Sequence, residues 1–327
     1  MRYNNNIWLL IDDRKGNTSQ IYGVAKYINS KNIIEKKIFY NNFSILPNLL
    51  LIDIPHIKKR FKSEFKPPWP KLVIGCGRRS APLGLWIKKQ SKGFSKYIQI
   101  MWPGYPYKNI DLIFAPKHDN IPYKNNVIDI FSAPNIIDKE LLKISHSKWN
   151  DKFKNIPSPK IAVLIGGDTK YHKFKPTHVK NLIHHIKLLL KNNKGSLLVS
   201  TSRRTSLDCI NVLKKEVKNF SQSSIIWEYK NISNNPYFGF LTHADLIVAT
   251  GDSISQCSEA ASTGKPLLIY APDDITIKKH KEFHKNLFNN NIAKKLEKFN
   301  MEDINKFKYK PINESLRIAE IINNKFL

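Results

Sequence analysis

Short apolar runs alternate with amphipathic stretches along this chain. The first run, Ile7–Ile11, is followed by apolar positions at Ile21, Val24, Ala25 and Ile28. An unbroken run of about five apolar residues is typical of a strand that is buried on both faces, and an i, i+3, i+4, i+7 spacing predicts an amphipathic helix. The alternation of these two patterns predicts an α/β fold with doubly wound parallel sheets.

The same alternation begins again in the second half of the chain. Strands are predicted at residues 72–74, 97–101, 112–115, 127–131, 161–165, 197–199, 246–249 and 267–270. A polar, lysine-rich stretch at 145–159 contains Pro157 and Pro159 and predicts a linker. We therefore expect two Rossmann-like domains, 1–150 and 156–310, with a C-terminal helix at 313–327 that joins the first domain.

Charge and cysteine content limit the classes of function. The 54 basic and 26 acidic residues give a formal charge of +28, which favours an anionic partner such as a membrane surface, although abundant Lys, Asn and Ile also indicate a biased coding composition. The basic residues are not interleaved with aromatic residues as in a nucleic-acid-binding module, so we expect no nucleic-acid partner. Three widely spaced cysteines favour a reducing compartment and predict no metal site.

The apolar runs are also too short for a membrane span or a signal peptide. The amino-terminal run has five residues, whereas a spanning helix needs about 20. We expect a cytoplasmic protein, with peripheral contact at the inner face of the membrane left open.

Two twin-arginine turns stand out because only eight of the 54 basic residues are arginine. Arg78 and Arg79 follow one predicted strand, and Arg203 and Arg204 follow another. A guanidinium can bind phosphate or carboxylate through two parallel hydrogen bonds, and the end of a parallel strand is where α/β proteins bind ligands. Helix capping or local ion pairs are the alternative roles of these arginines.

Four loops of the second half are predicted to meet at the carboxyl edge of its sheet. Ser253 and the free amides behind it are suited to a phosphate, and Glu259 to the hydroxyls of a ribose. An ordinary helix cap and a surface carboxylate are the alternatives. The residues placed at this edge are Gly166, Gly167, Ser202, Arg203, Arg204, Asn235, Tyr237, Asp252, Ser253, Ser258 and Glu259.

The segment 250–266 resembles the donor-site signature of two-domain GT-B glycosyltransferases. Further motifs at 12–17, 76–80, 115–119, 165–167 and 201–205 occur in an order similar to that of the mitochondrial fission elongated-mitochondria family. That family includes bacterial proteins described as glycosyltransferases of the lipopolysaccharide-core type, whereas its plant members are linked to mitochondrial division. The resemblance covers about residues 7–272.

The resemblance implies a metal-independent glycosyltransferase that needs no cofactor other than its nucleotide-sugar donor. The second domain would bind the donor, the first would bind an envelope glycolipid or saccharide, and the two would face each other across a catalytic cleft. Arg203, Arg204 and the helix start at Ser253 would stabilise the charge of the departing nucleoside diphosphate. Two alternatives remain open: an adaptor that recruits a membrane-remodelling partner, and a nucleotide-sugar epimerase.

Residues of the first domain are candidates for the base and for acceptor binding. His118, Asp119 and Asp12 follow predicted strands and can deprotonate an acceptor hydroxyl, or His118 and Asp119 can merely brace their loop. The residues predicted to bind an acidic acceptor or a donor phosphate are Arg14, Gly16, Asn17, Gln20, Arg78 and Arg79.

Overall fold

The computed structural model describes residues 2–51, 54–104, 107–122, 124–191, 195–221, 223–231 and 234–327. The chain forms two compact units. Unit 1 comprises residues 1–136 and 313–327, and unit 2 comprises residues 137–312.

Unit 1 is built around a parallel six-stranded sheet of order β2-β1-β3-β4-β5-β6. The strands are β1 (Ile7–Ile11), β2 (Ile33–Lys37), β3 (Leu72–Cys76), β4 (Lys96–Ile100), β5 (Leu112–Pro116) and β6 (Val127–Ile130), and the helices are α1 (Lys15–Ala25) and α2 (Ala81–Gln90). Strands β1, β3 and β5 are buried along their whole length, because helices cover both faces of the sheet.

Unit 2 repeats the architecture, with sheet order β12-β11-β10-β7-β8-β9. The strands are β7 (Lys160–Leu164), β8 (Ser196–Ser200), β9 (Ile225–Trp227), β10 (Leu246–Thr250), β11 (Leu267–Tyr270) and β12 (Lys294–Lys295). The helices are α3 (Lys139–Phe153), α4 (Pro176–Leu189), α5 (Leu207–Phe220), α6 (Tyr237–His243), α7 (Ile254–Ala261) and α8 (Lys278–Asn289). All the pairings are parallel, so the predicted pair of doubly wound parallel sheets is confirmed.

The C-terminal helix α9 (Glu314–Phe326) packs on unit 1 although the whole of unit 2 precedes it in the sequence. Its apolar face, Ile318, Ala319 and Ile322, is buried in the same core cluster as Ile21 and Val24 of α1. An amphipathic face of this kind stabilises a helix mainly through the surface that it buries.

The linker prediction at 145–159 is wrong for most of its length, because α3 runs through Phe153. Most residues of α3 are polar, but Ser145, Trp149 and Phe153 are buried. They are spaced four residues apart and face α6. Asp138 caps the helix by accepting a hydrogen bond from the Leu141 amide at 2.8 Å. Residues 137–150 therefore lie with unit 2, and the unit boundary falls before them.

Strands β2, β9 and β12 do not stand out as apolar runs in the sequence. They lie at the edges of the two sheets, where β2 and β9 have no residue that is buried like those of the central strands. An edge strand does not need a continuous apolar run.

Candidate active site

Each sheet has a point where the chain reverses its direction of strand addition. In unit 1 the chain passes from β1 to β2 on one side and then to β3 on the other, and in unit 2 it adds β8 and β9 before crossing to β10. Ligands of open α/β sheets bind at the carboxyl ends of the strands beside this point. The candidate residues follow β1 and β3 in unit 1, and β7, β8 and β10 in unit 2.

Asp252 organises the edge of unit 2. Its buried carboxylate accepts hydrogen bonds from the Gly167 amide at 2.8 Å and from the Thr250 hydroxyl at 2.6 Å. It also pairs with the Arg204 guanidinium at 2.9 Å. The loops that follow β7, β8 and β10 are thereby joined through one side chain, because a buried carboxylate needs several donors.

Arg204 is occupied by the protein itself. Besides its ion pair with Asp252, it donates to the carbonyls of Gly167 at 2.8 Å and Asp168 at 2.9 Å. This geometry corresponds to the local ion-pair role that the sequence left open, and it limits the donors that Arg204 can offer to a phosphate. Arg203 is exposed and has no hydrogen-bond or ion-pair partner among the residues that the structure describes.

The two glycines after β7 permit this close packing. A Cβ on Gly167 would lie 2.2 Å from the Arg204 carbonyl oxygen, and Gly167 also has a φ of +144°. A Cβ on Gly166 would lie 2.1 Å from the Asp252 carboxylate. The Gly166 carbonyl accepts hydrogen bonds from the Ser202 and Thr205 hydroxyls. Gly166, Gly167 and Ser202 therefore build the edge, and none of these contacts requires a ligand.

Ser253 stands at the N-cap of α7, and its side chain makes no capping hydrogen bond. The amides of the first helical turn, residues 254–256, have no acceptor within the helix, and the helix dipole is positive at this end. Because Arg204 neutralises the neighbouring Asp252 carboxylate, this end of α7 remains favourable for an anion.

Glu259 and Tyr237 form the second feature of this edge. The Tyr237 hydroxyl donates to the Glu259 carboxylate at 2.5 Å, so two residues that the sequence placed on separate loops are in contact. Burial raises the pKa of Glu259 to about 7, although the Tyr237 hydrogen bond acts in the opposite direction. Burial and the neighbouring carboxylate raise the pKa of Tyr237 well above its usual value. A carboxyl group that titrates near pH 7 is typical of a functional site.

The other two predicted donor residues have different surroundings. Asn235 is exposed, and its side chain accepts a hydrogen bond from the Tyr237 amide at 2.9 Å, so it shapes the start of α6. Ser258 is fully buried, which places its hydroxyl in the packing of α7 rather than on an accessible surface. Direct contact of Ser258 with a ligand is therefore disfavoured.

Two histidines of α8, His280 and His284, were not predicted from the sequence as site residues. His284 lies against Gly251, where a glycine Cβ would be 2.6 Å from the imidazole Cε1 atom, and burial lowers the pKa of His284 to about 3. Burial also lowers the pKa of His280, and the negative charge of Asp252 partly opposes this shift. Their spacing of four residues on a helix after β11 was the available signal. The His284 imidazole is therefore neutral near pH 7.

Asp12 organises the edge of unit 1 in a similar way. Its buried carboxylate accepts hydrogen bonds from the Arg14 amide and the Asn17 side chain, both at 2.9 Å, and pairs with Arg79 at 3.3 Å. Arg79 also pairs with Asp13 and stacks over the Tyr40 ring at 4.4 Å. These donors occupy the carboxylate oxygens of Asp12, so in this arrangement Asp12 positions its neighbours, and its predicted role as the base stays a prediction.

Arg78 is likewise engaged within unit 1. Its guanidinium donates to the carbonyls of Ser44 at 2.9 Å and Leu46 at 2.5 Å, and to the Asn48 side chain at 3.2 Å. Burial lowers the pKa of Arg78, and the nearby positive charge of Arg14 adds to the effect. Arg78 therefore fixes a loop, in place of the predicted phosphate contact.

The remaining acceptor candidates differ in accessibility. Gln20 is buried and accepts a hydrogen bond from the Cys76 thiol at 3.2 Å, so in this arrangement its side chain is turned to the protein interior, and its predicted ligand contact stays a prediction. Arg14 and Gly16 are exposed, and Asn17 is half-buried. Asp12 and Asp13 line a cavity of about 270 Å³ in unit 1, together with Lys15, Thr18, Ser19, Tyr22 and Ile136.

His118 and Asp119 lie on a single turn of 3₁₀ helix directly after β5. His118 is buried with 2% of its surface exposed, whereas Asp119 is half-buried. Asp119 is therefore more accessible to a hydroxyl group than His118. Within the described ranges, no group of three or more His, Cys, Asp or Glu side chains is arranged to hold a metal ion, and no helix is long and apolar enough to cross a membrane.

Solved structures with the same architecture define the class of fold as GT-B. UDP-GlcNAc 2-epimerase from Methanocaldococcus jannaschii matches with a TM-score of 0.57 and 14% identity, over 98% of this chain and 99% of the other. MurG from Acinetobacter baumannii matches with a TM-score of 0.54 and 13% identity, over 98% and 99% of the two chains. At this identity the likeness establishes the fold alone.

Sequence relatives establish the family. A family model described as mitochondrial fission ELM1 matches residues 15–326, so the chain belongs to the mitochondrial fission ELM1 family, as its motifs predicted. An uncharacterized protein of Rickettsia prowazekii (strain Madrid E) is 33% identical over 97% of both chains. The mitochondrial fission protein ELM1 of Arabidopsis thaliana is 26% identical, over 86% of this chain and 69% of its own length.

Proposed function

We propose that this protein is a metal-independent GT-B glycosyltransferase that moves a sugar from a nucleotide-sugar to a glycolipid or saccharide of the cell envelope. The observation that carries the proposal is the contact between Glu259 and Tyr237 beside the open start of α7. Solved structures of the same fold contain UDP or UDP-GlcNAc, as with the epimerases of M. jannaschii and Neisseria meningitidis. Unit 2 offers groups suited to such a donor.

Two parts of a nucleotide-sugar, the diphosphate and the ribose, have counterparts in unit 2. A diphosphate suits the first-turn amides of α7 and the exposed Arg203 guanidinium, which together supply positive charge as the leaving group departs. The ribose hydroxyls suit the Glu259 carboxylate, which then exchanges its bond with Tyr237 for two hydroxyl donors. Arg204 contributes indirectly, by neutralising Asp252.

Unit 1 supplies the acceptor side in this proposal. The cavity beside Asp12 and Asp13 offers oxygen acceptors together with Lys15, Thr18 and Ser19 donors, which suits a hydroxyl-rich ligand. The half-buried Asp119 is the preferred base, because Asp12 is saturated by its own donors and His118 is buried. We expect the protein to act at the inner face of the membrane, where envelope glycolipids are available.

Calorimetry of the intact protein with UDP, GDP and ADP and with their sugar derivatives tests the donor site. We expect one nucleotide to bind in the micromolar range, and Glu259→Ala to weaken it about tenfold or more. Glu216→Ala is a matched control, because Glu216 is a half-buried carboxylate of unit 2 that lies on α5 and pairs with Lys187. Failure of every nucleotide to bind would remove the proposal.

Product analysis then separates the alternatives. Conversion of the nucleotide-sugar without any acceptor identifies an epimerase instead. The description of the family and of its Arabidopsis relative as mitochondrial fission proteins favours an adaptor as the second candidate. In that case Glu259→Ala leaves cellular function intact, whereas substitutions of surface residues abolish it.

A further inference from the structure

Unit 1 exposes a concentrated set of large apolar side chains in the segment that follows β2. We call the set Phe43, Ile45, Leu49, Leu50 and Ile54 the apolar patch; its members are 55% to 82% exposed. Single exposed apolar residues are common on soluble proteins, but five among the described residues of 43–54 are a local concentration. A stretch of this kind indicates a surface that meets another apolar phase.

The patch is carried by an anchored backbone. The Asn41 amide donates to the His56 carbonyl at 3.0 Å, which closes the base of the loop, and Tyr40 and Ile57 form an antiparallel bridge. Asn48 is buried and donates to the carbonyls of Arg78 and Pro103. Asn48 therefore ties this loop to the segments that follow β3 and β4, and the exposed apolar side chains stand on an anchored backbone.

Basic residues adjoin the base of this loop. The Lys58 amide donates to the Phe39 carbonyl at 2.8 Å, the Phe39 and Phe61 rings stack at 4.0 Å, and Arg60 lies 4.7 Å from the Phe61 ring. Over residues 58–66 the exposed cations are Lys58, Lys59, Arg60, Lys62 and Lys66, and the one carboxylate of that range is Glu64. The segment thus combines exposed apolar side chains with a strong excess of positive charge.

We propose that the apolar patch and the adjoining cations dock this protein on an anionic lipid bilayer. The apolar side chains enter the boundary between headgroups and acyl chains, and the lysines and Arg60 contact lipid phosphates. Peripheral binding generally requires two such signals, because either one alone gives marginal affinity. Charge complementarity selects this occupant, since the cations would not favour an apolar protein groove or a second copy of this basic chain.

The docking surface is connected to the edge of unit 1 by Arg78. This side chain holds the Ser44 and Leu46 carbonyls of the loop, while its neighbour Arg79 pairs with Asp12 and Asp13. A lipid-borne acceptor would therefore be presented beside the cavity of unit 1. This last step rests on the proposed function, whereas bilayer docking does not depend on nucleotide-sugar chemistry.

Co-sedimentation of the full chain with vesicles tests the docking surface. We compare vesicles of phosphatidylcholine alone with vesicles that contain about 30% phosphatidylglycerol, at 0.05 and 0.15 M salt. We expect binding only to the anionic vesicles, weakened several-fold at the higher salt. The triple variant Phe43→Ser, Ile45→Ser, Leu50→Ser should reduce the partition coefficient at least tenfold, and Lys58→Glu with Arg60→Glu should do the same.

A matched control is available in unit 2. Ile144, Leu188 and Leu207 are each 59% exposed, so their triple replacement by serine removes comparable apolar surface and should leave vesicle binding unchanged. Equal effects of the two triple variants, equal binding to neutral vesicles, or no binding at all would overturn the inference. If the Phe43, Ile45 and Leu50 variant instead dissociates a dimer or a protein complex without altering vesicle binding, the patch is a protein interface.

Nucleotide binding measured on the same variants separates this inference from the proposed function. We expect every vesicle-binding variant to keep the nucleotide affinity of the unmodified protein, because the altered side chains lie in unit 1. Loss of vesicle binding with intact nucleotide binding supports the surface, and nucleotide binding without any vesicle binding removes the surface alone. Unchanged melting temperatures check that the variants are folded.

Discussion

The two units place an arginine and a buried aspartate at the carboxyl edges of their sheets, but the surroundings of the two pairs differ. In unit 1, Arg79 follows β3 and pairs with both Asp12 and Asp13, and it also stacks on Tyr40. In unit 2, Arg204 follows β8 and pairs with Asp252. Among the described residues, Arg79 forms ion pairs with two carboxylates and Arg204 with one, although the charge of Arg204 also acts on the Asp168 carboxylate.

This difference shows that a twin-arginine turn does not by itself identify a phosphate site. In both units one arginine of the turn stabilises the edge, and the ligand-binding capacity lies with its neighbours. In unit 2 the neutralised Asp252 leaves the start of α7 favourable for an anion, beside an exposed Arg203 and the titrating Glu259. The comparison therefore assigns the stronger anion-binding potential to unit 2.

Substitution of the edge glycines by alanine should give the largest difference in stability loss between the two units. A Cβ on Gly167 would lie 2.2 Å from the backbone oxygen of Arg204, which cannot move without breaking the network around Asp252. In unit 1, a Cβ on Gly77 would lie 2.7 Å from the side chain of Asn17, which can rotate. We expect Gly167→Ala to lower the free energy of unfolding by about 4 kcal/mol or more, and Gly77→Ala by about 1–2 kcal/mol.

Chemical denaturation measures both glycine variants. Gly16→Ala is the control, because Gly16 lies in α1 with no atom within 4 Å of its added Cβ, and it should be neutral or slightly stabilising. A Gly167→Ala protein as stable as Gly16→Ala would contradict the close packing of the unit 2 edge.

Replacing the buried edge aspartates by asparagine should give the next largest difference in stability loss between the two units. Asp252→Asn removes the ion-pair partner of Arg204, and we expect a loss of about 3 kcal/mol in the free energy of unfolding. Asp12→Asn leaves Arg79 paired with Asp13, and we expect a loss of about 1 kcal/mol. Denaturant titration of the two variants at one pH provides the measurement.

Asp168→Asn serves as the control for charge removal in unit 2. Asp168 is half-exposed and pairs with the exposed Lys173. Its replacement should therefore lower the free energy of unfolding by less than Asp252→Asn or Asp12→Asn does. If Asp12→Asn proved as damaging as Asp252→Asn, the second carboxylate in unit 1 would have no stabilising role.

The sequence predicted the fold more completely than the site. Central strands such as β1 and β7 are continuous apolar runs because both of their faces are covered, and this pattern can be read without coordinates. Helix α3 was missed because its buried positions are few and lie within a lysine-rich segment. Local composition is therefore a poor predictor of a helix that buries only a narrow stripe of its surface.

Site residues were harder to assign because their roles depend on partners that are distant in the sequence. Arg204 looks identical to Arg203 in the sequence, and only the fold brings Asp252 to the former. The contact between Tyr237 and Glu259 joins residues of two helices, and burial then sets the protonation of the carboxyl group. Neither spacing nor composition contains that information.

The titration of Glu259 in unit 2 should make the free energy of unfolding depend on pH. Its pKa is about 7 in the folded protein and 4.5 in the absence of burial, so the folded state binds more protons between these values. Stability should therefore fall as pH rises from about 4.5 to 7 and then level off. Glu259→Gln removes this penalty, so its advantage should grow from near zero at pH 4.5 to about 3 kcal/mol at pH 8.

Urea unfolding of both proteins across this pH range provides the test. Tyr237→Phe removes the hydrogen bond that opposes the rise in the pKa of Glu259, so the fall in stability should extend to higher pH in that variant. A stability difference between Glu259→Gln and the unmodified protein that does not change with pH would show that Glu259 titrates normally.

Replacement of the exposed arginines should have the smallest effect on folding and the most selective effect on ligand binding. Arg203 lies at the unit 2 edge and Arg14 at the unit 1 edge, and both are exposed, so either alanine variant should keep the melting temperature within about 2 °C. Arg203→Ala should weaken UDP binding about tenfold at 0.15 M salt, because a charge-assisted hydrogen bond to the diphosphate is lost. Arg14→Ala should leave the affinity unchanged. Calorimetry distinguishes the two variants, and an equal loss in both would place the diphosphate outside the unit 2 edge and reverse the assignment of donor and acceptor units.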